Sequence, residues 1–91
     1  MGIIKIEFSI LGVQSLKEKR SVLQPFINKI RNNYNVSVSE LDGDEDVAHS
    51  TIGFAHIANS SKLNHKKLSQ VLAEAERVRD LNVDSYSTEV M

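Results

Sequence analysis

The chain has no cysteine, no tryptophan, one proline and four glycines, and aromatic residues make up only 5% of it. Without cysteine, disulfides, thiolate zinc sites and a cysteine nucleophile are all excluded. So few glycines leave no room for a glycine-rich loop that wraps a nucleotide phosphate, and no such motif is present. Long apolar runs are also missing. The longest, Ile3 to Leu11, carries Lys5 and Glu7 and is too short for a bilayer span or a secretory signal, so the expectation is a cytoplasmic protein with no membrane contact. Neither charge sign dominates. Eleven basic residues face twelve acidic ones, a formal charge of −1, which excludes a surface that is basic all over but allows a local basic patch.

What is present suits one small domain. At 91 residues and 41% hydrophobic, the chain can bury roughly 60–65% of its unfolded surface, and residues 1–91 are expected to fold as a single unit. Ile4, Ile6, Phe8 and Ile10 alternate with Lys5, Glu7 and Ser9, the period of a strand buried on one face, over Ile3 to Leu11. Ser15-Leu16-Lys17-Glu18 follows as a capping-box pattern that starts a helix. At 100° steps Leu16, Val22, Leu23, Phe26, Ile27, Ile30 and Tyr34 share one arc, and Pro25 points the other way, where it bends the helix on its solvent side. Asn35 to Leu41 alternates again, Thr51 to Ala58 is rich in strand formers, and the polar stretch Asp42-Gly43-Asp44-Glu45-Asp46 between them reads as a hairpin tip. Ser60 or Ser61 caps a second helix carrying Leu68, Val71, Leu72, Ala75 and Val78 at helical spacing. Val83 to Val90 is a weaker last strand. The order βαββαβ is the split βαβ arrangement of an α+β, ferredoxin-like domain: a four-stranded antiparallel sheet with two helices on one face.

The stretch Ser15-Leu16-Lys17-Glu18-Lys19-Arg20-Ser21-Val22-Leu23, then Pro25-Phe26, Asn35-Val36-Ser37-Val38-Ser39-Glu40 and Thr51-Ile52-Gly53, resembles the YlxP-like family of small bacterial proteins. The resemblance covers nearly the whole chain and implies the same ferredoxin-like fold. It implies no reaction. It does imply a link to translation, because family members are similar in size and fold to small ribosome-maturation factors and their genes often lie beside those for translation and ribosome assembly.

The topology turns the charges into a map. Helix 1 starts at the end of the sheet that carries the hairpin tip, so Lys17, Lys19 and Arg20 are expected near Asp42, Asp44, Glu45 and Asp46. Cations in a first helical turn oppose the helix dipole, which makes these three candidates for binding phosphate or RNA; neutralisation by the acidic tip is the bland alternative. The opposite end should collect Lys29, Arg31, Lys62, His65, Lys66 and Lys67 with no acidic neighbour. Of these, Lys62, Lys66 and Lys67 are the anion or RNA candidates, and a solvated helix face is the competing reading. Gly53-Phe54-Ala55-His56-Ile57 partly follows the third-strand signature of RNA-recognition motifs, in which alternate aromatics stack bases. On that reading Phe54 and His56 face outward from the sheet, and Gly53, Ala55 and Ile57 lie beneath the helices. The same face equally suits a homodimer or protein contact.

Other chemistries find less support. Asp42, Asp44 and Asp46 occupy the first three ligand positions of a calcium loop, but Val47 stands at the required glycine and Gly53 at the bidentate glutamate. His49, His56 and His65 have no zinc-type spacing, so no metal site and no cofactor is expected. Acylphosphatases resemble this topology but need an arginine in the loop after strand 1, and Gly12-Val13-Gln14-Ser15 has none. An enzyme is the weaker expectation. The leading expectation is a non-catalytic RNA- or ribosome-associated module, the alternative a protein-interaction module or homodimer using the open sheet face, and a small acylphosphatase-like hydrolase comes last.

Overall fold

A computed structural model describes residues 1–42 and 45–91. The elements run β1 (Gly2–Ile10), α1 (Leu16–Asn33), β2 (Val36–Asp42), β3 (His49–His56), α2 (Ser61–Glu76) and β4 (Leu81–Val90). The four strands form one antiparallel sheet in the order β2-β3-β1-β4, the α+β ferredoxin-like arrangement expected from the element order. No described helix is long and apolar enough to cross a membrane.

Each boundary has a local cause. Ser15 is extended and its hydroxyl accepts from the Glu18 amide at 3.1 Å, half of the expected capping box. Gly12, at φ 73°, takes the left-handed step of the preceding turn, where a side chain would be strained. Pro25 lies on the exposed side of α1, as expected, and the helix continues through it. Ser60, rather than Ser61, caps α2 and accepts from the Leu63 amide.

Both helices cover one sheet face. Ile4, Ile6, Phe8 and Ile10 of β1, Ile52 and Phe54 of β3, Leu23, Phe26, Ile27 and Ile30 of α1, and Leu68, Val71 and Ala75 of α2 are buried together. Phe26 stands between Phe8 and Phe54, with ring centroids 5.9 and 6.0 Å away and both pairs edge to face. Such geometry adds about 0.5–1.5 kcal/mol per pair beyond area burial.

One expectation is reversed. Phe54 is fully buried and His56 nearly so, so neither faces outward from the sheet. The β1–β3 register pairs Ile4 with Phe54 and Ile6 with Ile52, and directly paired residues point to the same side. Because Ile4 and Ile6 face the helices, Ile52, Phe54 and His56 must as well, and Gly53 and Ala55 take the open face. The aromatic stacking surface expected on β3 does not exist.

Candidate nucleic-acid interface

The cations at the start of α1 have different fates. Lys19 is only 2% exposed, and its ammonium donates to the carbonyls of Asp46 at 2.5 Å and His49 at 2.7 Å. It ties the β2–β3 connection to α1 and is not a surface cation, which corrects its place among the anion-binding candidates. Arg20 pairs with Glu40 on β2. Lys17 remains exposed. The α1–β2 groove, a cavity of about 620 Å³ lined by Leu16, Arg20, Arg31, Val38 and Glu40 among others, therefore has its arginines engaged: Arg31 donates to the Val38 carbonyl at 3.3 Å. Asp44 lies outside the described residues, so the acidic tip is represented by Asp42, Glu45 and Asp46. Asp46 accepts from the Ala48 amide at 2.9 Å and faces His49 Nδ1 at 3.1 Å. The Ala48 bond, then the His49 side chain, hold its carboxyl below the ordinary range.

The other end also differs from its expected layout. Lys29 is not free of acidic neighbours: it pairs with Glu74 of α2 at 3.0 Å. Glu74 also accepts from the Tyr34 hydroxyl at 3.3 Å, and the Lys29 bond holds the Glu74 carboxyl below its ordinary range. Lys67 places its ammonium 5.8 Å from the Tyr34 ring centre, within cation–π range. These interactions fall on the flank of α2 that faces α1.

The outer flank of α2 is different. The helical period places Lys62, His65, Lys66 and Ser69 away from the buried row Asn64, Leu68, Val71 and Ala75, and all four are exposed. No acidic residue occupies the first turn of α2. Among the described residues neither Lys62 nor Lys66 makes an ion pair. Between this flank and β4 runs a cavity of about 260 Å³, with Leu68, Leu72 and Ile4 as apolar walls and His65, Ser69 and Thr88 as polar ones. Tyr86 of β4 lines it and is 57% exposed. Tyr86 is the residue that sequence reasoning missed. Its only signal is one aromatic in the hydroxyl-rich run Ser85-Tyr86-Ser87-Thr88, and its exposure goes with a tertiary fact: β4 is an edge strand of the sheet.

The three histidines are on separate sites: His49 against Asp46, His65 on the outer flank of α2, and His56 buried with its Nδ1 2.8 Å from Asn64 Oδ1.

Fold and site together describe a small α+β ferredoxin-like domain in which one helix flank carries two exposed lysines, Lys62 and Lys66, that make no ion pair among the described residues. Residues 1–88 match the family described as a protein of unknown function, DUF503. The chain is also 34% identical over 73 residues to a Bacillus subtilis (strain 168) protein named uncharacterized protein YlxP, a match covering 80% of this chain and 79% of that protein. The chain belongs to the DUF503 family.

Proposed function

We propose that the protein is a non-catalytic, cytoplasmic RNA- or ribosome-associated module that binds through the outer flank of α2. The observation that carries this reading is the pair Lys62 and Lys66, exposed one helical turn apart beside His65 and without an acidic partner among the described residues. Elsewhere on the described surface the candidate cations are mostly engaged, so phosphate meets the least competition here. Lys67 lies behind them against Tyr34 and supports the patch from its far side. Lys17 stands too far away to act with them on one phosphate, because α1 and α2 start at opposite ends of the sheet.

Co-sedimentation with ribosomal subunits at low and high salt tests it. The native protein should pellet with a subunit at low salt and be released as salt rises. In a Lys62→Ala/Lys66→Ala variant the slope of log affinity against log salt should flatten by about 0.7 for each single-strand phosphate that the protein no longer neutralises. No association at low salt overturns the reading.

A second reading has its own observation. On the open face the Leu41 side chain lies across Gly53, 3.0 Å from the point where a Cβ would stand, and with Ile3 and Ala55 it lines an apolar cavity of about 330 Å³. Four strands about 4.8 Å apart and roughly eight residues long offer about 500 Å² of face, so two copies face to face bury about 1,000 Å² in total, the lower limit for a specific interface. This supports a weak homodimer. Light scattering across a concentration series, with Leu41→Asp as control, should then show a mass that rises with concentration only in the native chain.

A further inference from the structure

The structure assigns to Tyr86 the role of a base-stacking platform, which makes the ligand of the α2 flank a single strand with unpaired bases; this rests on the RNA reading above. Among the phenylalanine and tyrosine rings Tyr86 is the one that is more than half exposed, and it lies where a base would reach it. The cavity beside it, about 260 Å³, is smaller than the pockets of roughly 300–1,000 Å³ that take whole drug-sized ligands, and its open side lets one planar ring lie on the phenol. Its walls suit that ring. Leu68 and Leu72 offer apolar surface to a base face, while the Ser69 and Thr88 hydroxyls and the His65 imidazole offer donors and acceptors to a base edge. Lys62 and Lys66 follow on the same helix flank, so a strand with one base on Tyr86 carries its adjoining phosphates past the two ammonium groups.

Duplex RNA cannot use this arrangement, because its bases are already stacked and its edges lie within the grooves. Stacking on an aromatic ring tolerates any base. The site therefore selects strandedness rather than sequence. The Tyr86 hydroxyl has no part in stacking, so Tyr86→Phe should bind as the native protein does.

The test measures affinity for a labelled oligouridine strand and for the same strand annealed to oligoadenosine, in native, Tyr86→Leu and Tyr86→Phe proteins. Tyr86→Leu keeps an apolar side chain on an exposed edge and leaves the core untouched. It should weaken single-strand binding about tenfold or more, leave duplex binding and the salt slope unchanged, and so erase the preference for single strands. A second readout uses the absence of tryptophan. The chain has two tyrosines, so in a Tyr34→Phe background the intrinsic fluorescence comes from Tyr86 alone, and oligouridine should quench it. If Tyr86→Leu binds as tightly as native and no quenching occurs, while Lys62→Ala/Lys66→Ala still flattens the salt dependence, the stacking role is overturned and the RNA reading stands. If the native protein binds neither strand at low salt, both fall.

Discussion

The Lys19 ammonium, on the first turn of α1, donates to the backbone carbonyl of His49 at the start of β3, 2.7 Å away. A second bond to the Asp46 carbonyl makes this side chain a clamp between helix and hairpin. Hydrogen bonds from a charged donor contribute about 1.5–3 kcal/mol each, and a buried carbonyl left without a partner costs about 1–3 kcal/mol. Lys19→Met should therefore lower stability by about 2–4 kcal/mol, seen as a reduced urea midpoint. The same variant should bind RNA as the native protein does when assayed where it is folded. A large drop in binding by folded Lys19→Met would restore this lysine to the anion surface.

Phe26 joins the two central strands to α1 through its edge-to-face packing on Phe8 and Phe54. Phe26→Ala opens a cavity under the helix and should cost about 3–5 kcal/mol. Phe26→Leu retains most of the volume and should cost about 1–2 kcal/mol. Thermal unfolding of the two variants would contradict this packing if both costs were equal.

His56 and Asn64 form a buried polar pair within the apolar layer. Asn64 Nδ2 points at the Ala58 carbonyl at 3.5 Å, which turns Oδ1 toward His56 Nδ1 and assigns the proton of that bond to the imidazole. Asn64→Leu leaves the imidazole without this acceptor and should cost about 1–3 kcal/mol. The double variant His56→Leu/Asn64→Leu should be destabilised by less than the sum of the two single effects, because removing both partners leaves no orphan. Strict additivity in a double-mutant cycle would show that the pair contributes nothing as a unit.

Acid should destabilise the fold through three carboxylates. Ser9 holds Asp84, the Ala48 amide holds Asp46 and Lys29 holds Glu74 below their ordinary values of 3.8, 3.8 and 4.5. A carboxyl with a depressed folded-state pKa contributes stability above its unfolded value and loses that contribution as pH falls through its folded value. For these groups the urea midpoint should hold steady from about pH 7 to 5 and decline below about pH 4. Asp46→Asn/Asp84→Asn should shorten the decline, and an unchanged acid limb in that variant would remove these two groups from the account.

Much of the architecture was legible in the chain because its signals are local. The alternation of Ile4, Ile6, Phe8 and Ile10, the Ser15 cap and the arc of Leu23, Phe26, Ile27 and Ile30 each follow from residue spacing within one element, and each stands in the structure as read. The site was less legible. A strand signature alone puts Phe54 and His56 on the wrong sheet face, because alternation says only that Phe54 and Gly53 face opposite ways. Which of them meets the helices is decided by the register against β1. The cations are equally ambiguous: Lys19 and Lys17 are close neighbours in a charge-rich turn, yet one is buried against carbonyls and the other is exposed.

Sequence alone determined the number, kind and order of the elements, since periodicity, caps and turn residues act over a few neighbouring positions. It also determined the near-neutral charge and the lack of thiol chemistry. Only the tertiary structure decided which charges are available to a ligand. Lys29 of α1 meets Glu74 of α2, Lys19 meets the hairpin carbonyls, and Tyr86 stays uncovered beside α2. Availability depends on what approaches from distant parts of the chain, and no spacing within one segment encodes that approach.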